Sequence, residues 1–201
     1  MGKICLYIFK TMTTVAIVYF SATGHTKSMA ESLAKGVDSV DESSAKLYAI
    51  ADEQFTGGRW TDEAMLSEIG SADAIVFGSP TYMGGVAAQL KAFIDAAGGV
   101  WFAQGWKNKI SGGFTHSGSP SGDKQSTLVY LSIFASQHSM VWISPAQMAN
   151  PENGVNRLGS YLGVMGSGSE EAVHPGDLVF SELYGQRIAK ATHAWNAANM
   201  G

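Results

Sequence analysis

A short polar stretch near the start of the chain has the residue types of an anion-binding loop. It carries three hydroxyl side chains around one glycine, in the order Ser21, Thr23, Gly24 and Thr26. The hydroxyls can donate hydrogen bonds to phosphate oxygens, and the first amides of a following helix would carry partial positive charge. Lys27 is the only lysine or arginine in the stretch, so neutral dipoles would do most of the binding. The alternative is an ordinary strand-to-helix turn in which the hydroxyls cap the helix.

Two common nucleotide-binding motifs do not fit this loop. A Walker A loop requires a glycine directly before the lysine, and Thr26 holds that position. A dinucleotide-binding loop requires three glycines at fixed spacing, and this stretch has one. The pattern Ser21-x-Thr23-Gly24-x-Thr26 resembles instead the phosphate loop of flavodoxins, to which His25 would contribute its backbone amide.

A second stretch, from Pro80 to Gly85, is suited to a flat heterocyclic ring. Pro80 fixes one backbone angle, and the two glycines at its end permit positive φ and close approach of backbone amides. Tyr82 and Met83 can cover the face of a ring. The alternative is a plain loop that leads into a helix.

Alternating strands and helices would position these two stretches. Apolar runs predict strands at 15–20, 45–50, 74–77, 109–114 and 140–143, and helical spacing predicts helices after residue 27 and at 62–69, 86–96, 125–137 and 177–198. Such a series predicts a parallel sheet with helices on both faces. The glycine-rich loops after strands one, three, four and five would meet at one edge of the sheet, where these folds bind ligands. This convergence favours a functional loop at Ser21 to Thr26.

Composition narrows the class of protein. The chain has 201 residues, of which 45% are hydrophobic, and this suits one domain with a large core. A net charge of −4 without a basic cluster argues against nucleic acid as a partner, and no apolar run is long enough to cross a membrane. The single cysteine excludes a cysteine-based metal site and favours a cytoplasmic compartment, and no histidine spacing indicates a metal. We predict an N-terminal extension at 1–11 and one domain at 12–201.

Three further motifs make a family resemblance specific. They are Gly78-Ser79-Pro80-Thr81-x-x-Gly84, Gln89-x-x-x-Phe93-Ile94-Asp95 and Gly98-Gly99-x-Trp101. Together they resemble the flavodoxin-like NAD(P)H:quinone oxidoreductases of the WrbA type, over about 15–143. The resemblance implies a flavodoxin-like, doubly wound α/β fold with five parallel strands in the order 2-1-3-4-5.

The resemblance also implies a non-covalent FMN site. The phosphate would be bound by Ser21, Thr23, Gly24, His25 and Thr26. The isoalloxazine would be lined by Pro80, Thr81, Tyr82, Met83 and Gly84, and its other edge would be wrapped by Thr115, His116, Ser117, Gly118, Ser119, Pro120 and Ser121. Tyr82 stands where the family commonly has arginine, which removes a positive charge beside the flavin.

Substrate contacts are implied for Trp101, which often reaches a neighbouring subunit's site in the family, and for Gln137 or His138. Core or interface packing is the alternative for Trp101. The resemblance to tetrameric relatives implies a homo-oligomer, a dimer or tetramer. The aromatic group Trp101, Phe102 and Trp106 favours it too, because its residues lie too close together for a short loop to bury easily. Packing under the loop 146–170 is the alternative.

The expected activity is two-electron hydride transfer from NADH or NADPH through FMN to a quinone. A one-electron carrier flavodoxin and a flavin-binding sensor or interaction protein are the alternatives. Asp123 is the only acidic residue in the two predicted ring loops, at 80–85 and 115–123. The electric field at the flavin should therefore be weakly negative at most, which favours the reductase over the carrier.

Overall fold

The computed structural model describes residues 12–169 and 171–199, and the predicted extension at 1–11 lies outside them. The strands are β1 (Thr13–Tyr19), β2 (Ser43–Ala49), β3 (Phe55–Thr56), β4 (Arg59–Trp60), β5 (Ala74–Tyr82), β6 (Gly85–Val86), β7 (Ile110–Ser117), β8 (Val141–Trp142) and β9 (Val164–Ser167). The helices are α1 (His25–Asp38), α2 (Glu63–Ser71), α3 (Ala88–Ala96), α4 (Gly98–Phe102), α5 (Lys124–Gln137) and α6 (Pro175–Asn199).

The main sheet is parallel and runs β2-β1-β5-β7-β8, which confirms the predicted order 2-1-3-4-5. The fifth position is divided between two short strands, contrary to the single strand predicted at 140–143. β8 pairs with the start of β7, and β9 pairs with its end. The predicted long loop at 146–170 therefore returns to the sheet as β9. The side chain of Trp142, at the end of β8, is bonded to this returning segment, because its indole Nε1 donates a hydrogen bond to the Leu162 carbonyl oxygen at 2.8 Å.

Helices cover both faces of the sheet, as predicted. α1 and α6 pack on one face, with the apolar stripe of α1 buried against Phe180, Tyr184 and Ile188. α2, α3 and α5 pack on the other face around Phe77, Phe93 and Trp106. Burial on both sides explains why the central strands are apolar without alternation. Within the described residues, no helix is long and apolar enough to cross a membrane.

Several predicted boundaries were wrong because tertiary pairing extends the strands. β5 continues to Tyr82; it pairs with β7 as far as Pro80, and its last two residues pair with the short strand β6. β7 continues to Ser117, through residues predicted as loop. Residues 52–60, between the second strand and the second helix, form a 3-10 turn and the β3–β4 hairpin, and Gly98–Phe102 form the additional short helix α4.

The aromatic group near α4 is not a single surface. Trp106 is fully buried, and its ring packs on Phe77 and Phe93 with centroids 6.1 and 6.4 Å apart. It therefore belongs to the core rather than to a partner surface or to the loop 146–170. Trp101 and Phe102 remain exposed, by 42% and 84%.

Candidate cofactor site

Three loops meet at the carboxyl edge of the sheet because β1, β5 and β7 are adjacent and in register. Tyr19 at the end of β1 pairs with Gly78, which in turn pairs with Phe114 of β7. Gly78 is required at this crossing, since a Cβ there would lie 2.1 Å from the Phe114 ring. The edge formed in this way carries the predicted phosphate loop, the hairpin tip between β5 and β6, and the loop that follows β7.

The phosphate loop leaves the N-terminus of α1 open to an anion. Gly24 is the N-cap, with φ of 91° and no side-chain cap, and the first turn of α1 contains no acidic residue. Ser21 Oγ accepts from the Lys27 amide at 3.1 Å, and so ties the loop to the helix. The helix dipole is therefore not neutralised at this end, and the amides of its first turn suit a phosphate group.

Two stacked imidazoles lie beside the phosphate loop. The rings of His25 and His116 are 4.6 Å apart and nearly parallel. His25 Nδ1 contacts Thr23 Oγ1 at 2.7 Å, and among the described residues His116 Nε2 is buried without a hydrogen-bond partner. Burial, and then the proximity of His25, lower the pKa of His116 to about 4, so its ring is neutral at pH 7. The side chain of His25 thus takes part in the loop, beyond the amide expected from the sequence.

The hairpin tip presents two large apolar side chains to solvent. Tyr82 is 46% exposed and Met83 is completely exposed. Met83 and Gly84 both have positive φ, 47° and 74°, as a two-residue turn of type I′ requires. The Ser126 hydroxyl donates to the Gly84 carbonyl oxygen and joins this turn to α5. The predicted ring-covering residues therefore stand free at the edge of the sheet.

Other predicted cofactor residues lie deeper. Thr81 Oγ1 contacts the hydroxyls of Thr115 and Thr127 at 2.8 Å each, and all three threonines are buried. This cluster joins β5, β7 and α5 beneath the loops. Pro80 and His116 are buried as well, so any cofactor contact from Pro80, Thr81, Thr115 or His116 would depend on backbone atoms or on local movement.

The loop after β7 is built around a buried lysine that sequence reasoning missed. Gly118, Ser119, Pro120 and Ser121 are exposed, and Ser117 is partly buried. Lys124, at the first position of α5, is 1% exposed and reaches back under this loop. A cation in the first turn of a helix opposes the helix dipole. That unfavourable position was the one signal in the sequence that could have drawn attention to Lys124.

An ion pair between the buried Asp177 and the partly buried Arg157 completes this side of the site. Arg157 donates to both carboxylate oxygens of Asp177, at 2.9 and 2.8 Å, and also to the Ser167 carbonyl oxygen. The Ser167 amide donates to Asp177. The pair joins the 146–170 segment to α6 and to β9, whose end lies beside Ser117. Within the described residues, no group of three or more metal-binding side chains is present.

The predicted substrate residues lie near the amino ends of the parallel strands, away from the carboxyl ends where the three loops meet. α5 begins beside Ser117 and ends at Gln137, and Ser139 accepts from the Asn108 amide just before β7 starts. Gln137 is exposed there, whereas His138 is 2% exposed and packs on Trp106 with ring centroids 4.5 Å apart. Trp101 lies nearby, since Gln104 contacts both its carbonyl and Ser139. These residues would reach the cofactor edge only of another copy of the chain.

Comparison with known proteins agrees with this geometry. The family described as NADPH-dependent FMN reductase matches residues 14–153. The chain belongs to this family. The FMN reductase family membership confirms the expectation of FMN as cofactor with NAD(P)H as electron donor, and the resemblance to the WrbA type.

The proteins to which this chain is similar include some named as flavodoxins and others named as quinone dehydrogenases. Flavodoxin FldP of Pseudomonas aeruginosa is 37% identical over 188 residues, covering 89% of this chain and 96% of the relative. An NAD(P)H dehydrogenase (quinone) of Geobacter sulfurreducens is 29% identical, over 88% and 96%. The crystal structure of a flavodoxin, WrbA-like protein from Agrobacterium tumefaciens has a TM-score of 0.72 and 36% identity, covering 90% of this chain and 98% of that one.

Proposed function

We propose that this protein is an FMN-dependent NAD(P)H:quinone oxidoreductase. The observation that carries the proposal is the open N-terminus of α1, which faces the same sheet edge as the hairpin tip and the loop after β7. A phosphate at α1 would leave the attached ring system within an edge bordered by Tyr82, Met83 and the loop 117–121. Relatives named NAD(P)H dehydrogenase (quinone) support the same activity.

The residues have separable roles in this proposal. The first amides of α1, with Ser21, Thr23 and Thr26, would bind the phosphate. Tyr82 and Met83 would cover one face of the ring system and exclude water, and the loop 117–121 would orient its polar edge. Bound FMN would supply the redox chemistry by accepting a hydride from NAD(P)H and passing two electrons to a quinone.

Reconstitution and steady-state kinetics test this function. The purified protein should bind FMN at micromolar concentration, and NADH or NADPH should bleach its flavin absorbance without oxygen. Addition of benzoquinone should restore the absorbance, and turnover should follow ping-pong kinetics. Absence of reduction by both nicotinamides, with FMN bound, would exclude the reductase.

A carrier flavodoxin is the second candidate because the FldP relative bears that name. An anaerobic redox titration separates the two candidates, since a carrier should accumulate much one-electron-reduced flavin and a reductase little. The structure supports the reductase in one respect. Tyr82 and Met83 lie on a projecting tip, so a second planar molecule has room to approach the same edge.

We also propose that the protein forms a dimer or tetramer through the surface around α4. Trp101 and Phe102 are adjacent and exposed, and Gln137 lies at the same edge of the sheet. In an oligomer these residues would be the candidates for substrate contact in a neighbouring site. Light scattering at tens of micromolar should show more than one copy, and Phe102→Ser should favour the monomer. A monomeric FMN-bound wild type would contradict the proposal.

A further inference from the structure

Among the described residues, Lys124 is a buried cation whose hydrogen bonds all go to neutral oxygens. Its ammonium donates to Ser117 Oγ at 2.8 Å, to the Ser119 carbonyl oxygen at 2.9 Å and to the Pro120 carbonyl oxygen at 2.9 Å. An ammonium has three donors, so its hydrogen bonding is complete without a carboxylate. A buried charge without a directly paired opposite charge is costly, and proteins retain such charges most often at functional sites.

The backbone is shaped to bring this ammonium under the loop. Gly122 and Asp123 both have positive φ, 55° and 53°, and reverse the chain between the loop and α5. A Cβ on Gly122 would lie 2.2 Å from Ser117 Oγ, so the reversal is tightly closed. Because a trans peptide places N–H opposite C=O, capture of the Pro120 carbonyl also directs the Ser121 amide away from Lys124. The lysine thereby fixes the polar surface that the loop presents.

The charges buried around the lysine leave an excess of one positive charge, because Asp123, the other acidic residue beside it in the chain, is exposed to solvent. Asp177 favours the charged ammonium and Arg157 opposes it, and these two form a tight pair with each other. Their effects on the pKa of Lys124 are opposite, and that of Asp177 is the larger. Burial lowers the pKa of Lys124 to about 8, which still leaves the amine mostly charged at pH 7. The expectation of a weakly negative field at this edge, based on Asp123 alone, omitted this buried cation.

We propose that Lys124 is a positioning residue that raises the reduction potential of bound FMN through the loop it holds. This inference rests on the proposed function, in which the loop 117–121 wraps the flavin. Hydride transfer delivers two electrons and one proton, so the isoalloxazine gains one negative charge unless a second proton is taken up. A positive charge held beneath the adjacent loop stabilises that negative charge, and positive charge near the ring is one of the means by which proteins tune flavins.

The test compares the affinities of oxidised and reduced FMN. Lys124→Met keeps an unbranched side chain one atom shorter and removes its charge, and Lys124→Arg keeps the charge. Lys35→Met is the matched control, because it removes one lysine charge at an exposed site paired with Glu182. Dissociation constants for oxidised and reduced FMN, together with the two-electron midpoint potential, are measured for each variant.

Lys124→Met should weaken the binding of reduced FMN about tenfold more than the binding of oxidised FMN. This difference corresponds to a two-electron midpoint potential that is lower by about 30 mV. Lys124→Arg should restore most of the difference, and Lys35→Met should match wild type. An equal loss of affinity for oxidised and reduced FMN, or no loss of affinity, would overturn the proposal, because a purely structural lysine would not discriminate between the two redox states.

Wild type provides a measurement that does not depend on the variants folding. It should bind reduced FMN at least as tightly as oxidised FMN, and tenfold weaker binding of reduced FMN would overturn the proposal. Lys124→Gln is a second neutral variant if Lys124→Met does not fold. Failure of wild type to bind FMN would refute the proposed function itself, whereas FMN binding without quinone turnover would refute only the reductase and leave the affinity comparison valid.

Discussion

Gly185→Ala should destabilise the protein although alanine is the better helix former. α1 and α6 cross with their backbones in contact at two glycines. A Cβ on Gly185 would lie 2.0 Å from the Leu33 carbonyl oxygen, and one on Gly36 would lie 1.9 Å from the Glu182 carbonyl oxygen. An ordinary contact begins at 3.4 Å, so α6 must move by more than 1 Å to accept the methyl group.

The expected magnitude follows from two opposing terms. Replacing glycine by alanine inside a helix stabilises it by about 1 kcal/mol. Overpacking a close backbone contact costs about 1–3 kcal/mol, and more where neither helix can shift. The second term should exceed the first because both helices are packed on the sheet through Tyr184, Ile188 and the α1 stripe. We expect a net loss of up to about 2 kcal/mol in the free energy of unfolding.

Urea denaturation of the FMN-free protein measures this loss, and Gly70→Ala is the control. Gly70 is also helical, but its Cβ would meet the Trp106 indole nitrogen at an ordinary 3.5 Å, so this variant should be stabilised. Gly36→Ala combined with Gly185→Ala should cost less than the sum of the two, because one displacement relieves both contacts. A Gly185→Ala protein as stable as wild type would refute the reasoning.

Three more outcomes are expected. Met83→Asn should raise the unfolding free energy of the FMN-free protein by about 1 kcal/mol in thermal melts, since asparagine tolerates positive φ better than methionine; no gain would argue against strain at this turn. Burial lowers the pKa of His116 and of His138 to about 4, below the unfolded value of 6.5. The two neutral histidines therefore make their full contribution to the free energy of unfolding above pH 6.5. This contribution is lost as the pH falls towards 4, and the loss is at most about 2 kcal/mol for each histidine at pH 5. Urea titrations at pH 7 and 5 should show this loss, and His138→Phe should reduce it; equal sensitivity of that variant would contradict the assignment. Thr26→Ala should weaken FMN binding several-fold in fluorescence titrations, by about 0.5–1.5 kcal/mol or slightly more, whereas Thr26→Ser should not; His25→Ala should have the smaller effect, and a reversed order would contradict the roles given to the two side chains.

Local pattern was sufficient for the layout of the fold and the position of the loop before α1. The apolar run of β1 and the helical stripe Ala30, Leu33, Ala34 and Val37 are both buried as their spacing indicated. Between them, one glycine and several hydroxyls sufficed to locate an open helix N-terminus. These features depend on contacts close in sequence, and the alternation of strands and helices then restricts the sheet to a few arrangements.

Strand ends and the divided fifth strand depended on partners distant in sequence. β5 and β7 extend into segments that read as loop, because each supplies the other's backbone hydrogen bonds. β9 lies in a segment that read as loop, and it pairs with the end of β7. Backbone pairing of this kind leaves almost no trace in residue type, so the sequence could not locate it.

The charge at the site was decided only by the tertiary structure. By sequence, Lys124 is one of 13 basic residues, and it lies between Asp123 and the helix predicted at 125–137. Two consecutive left-handed residues turn its side chain inward, where three neutral oxygens surround it. Residue counts describe the charge of the surface as a whole. A buried charge acts through its depth and its neighbours, and the order of residues alone does not fix either one.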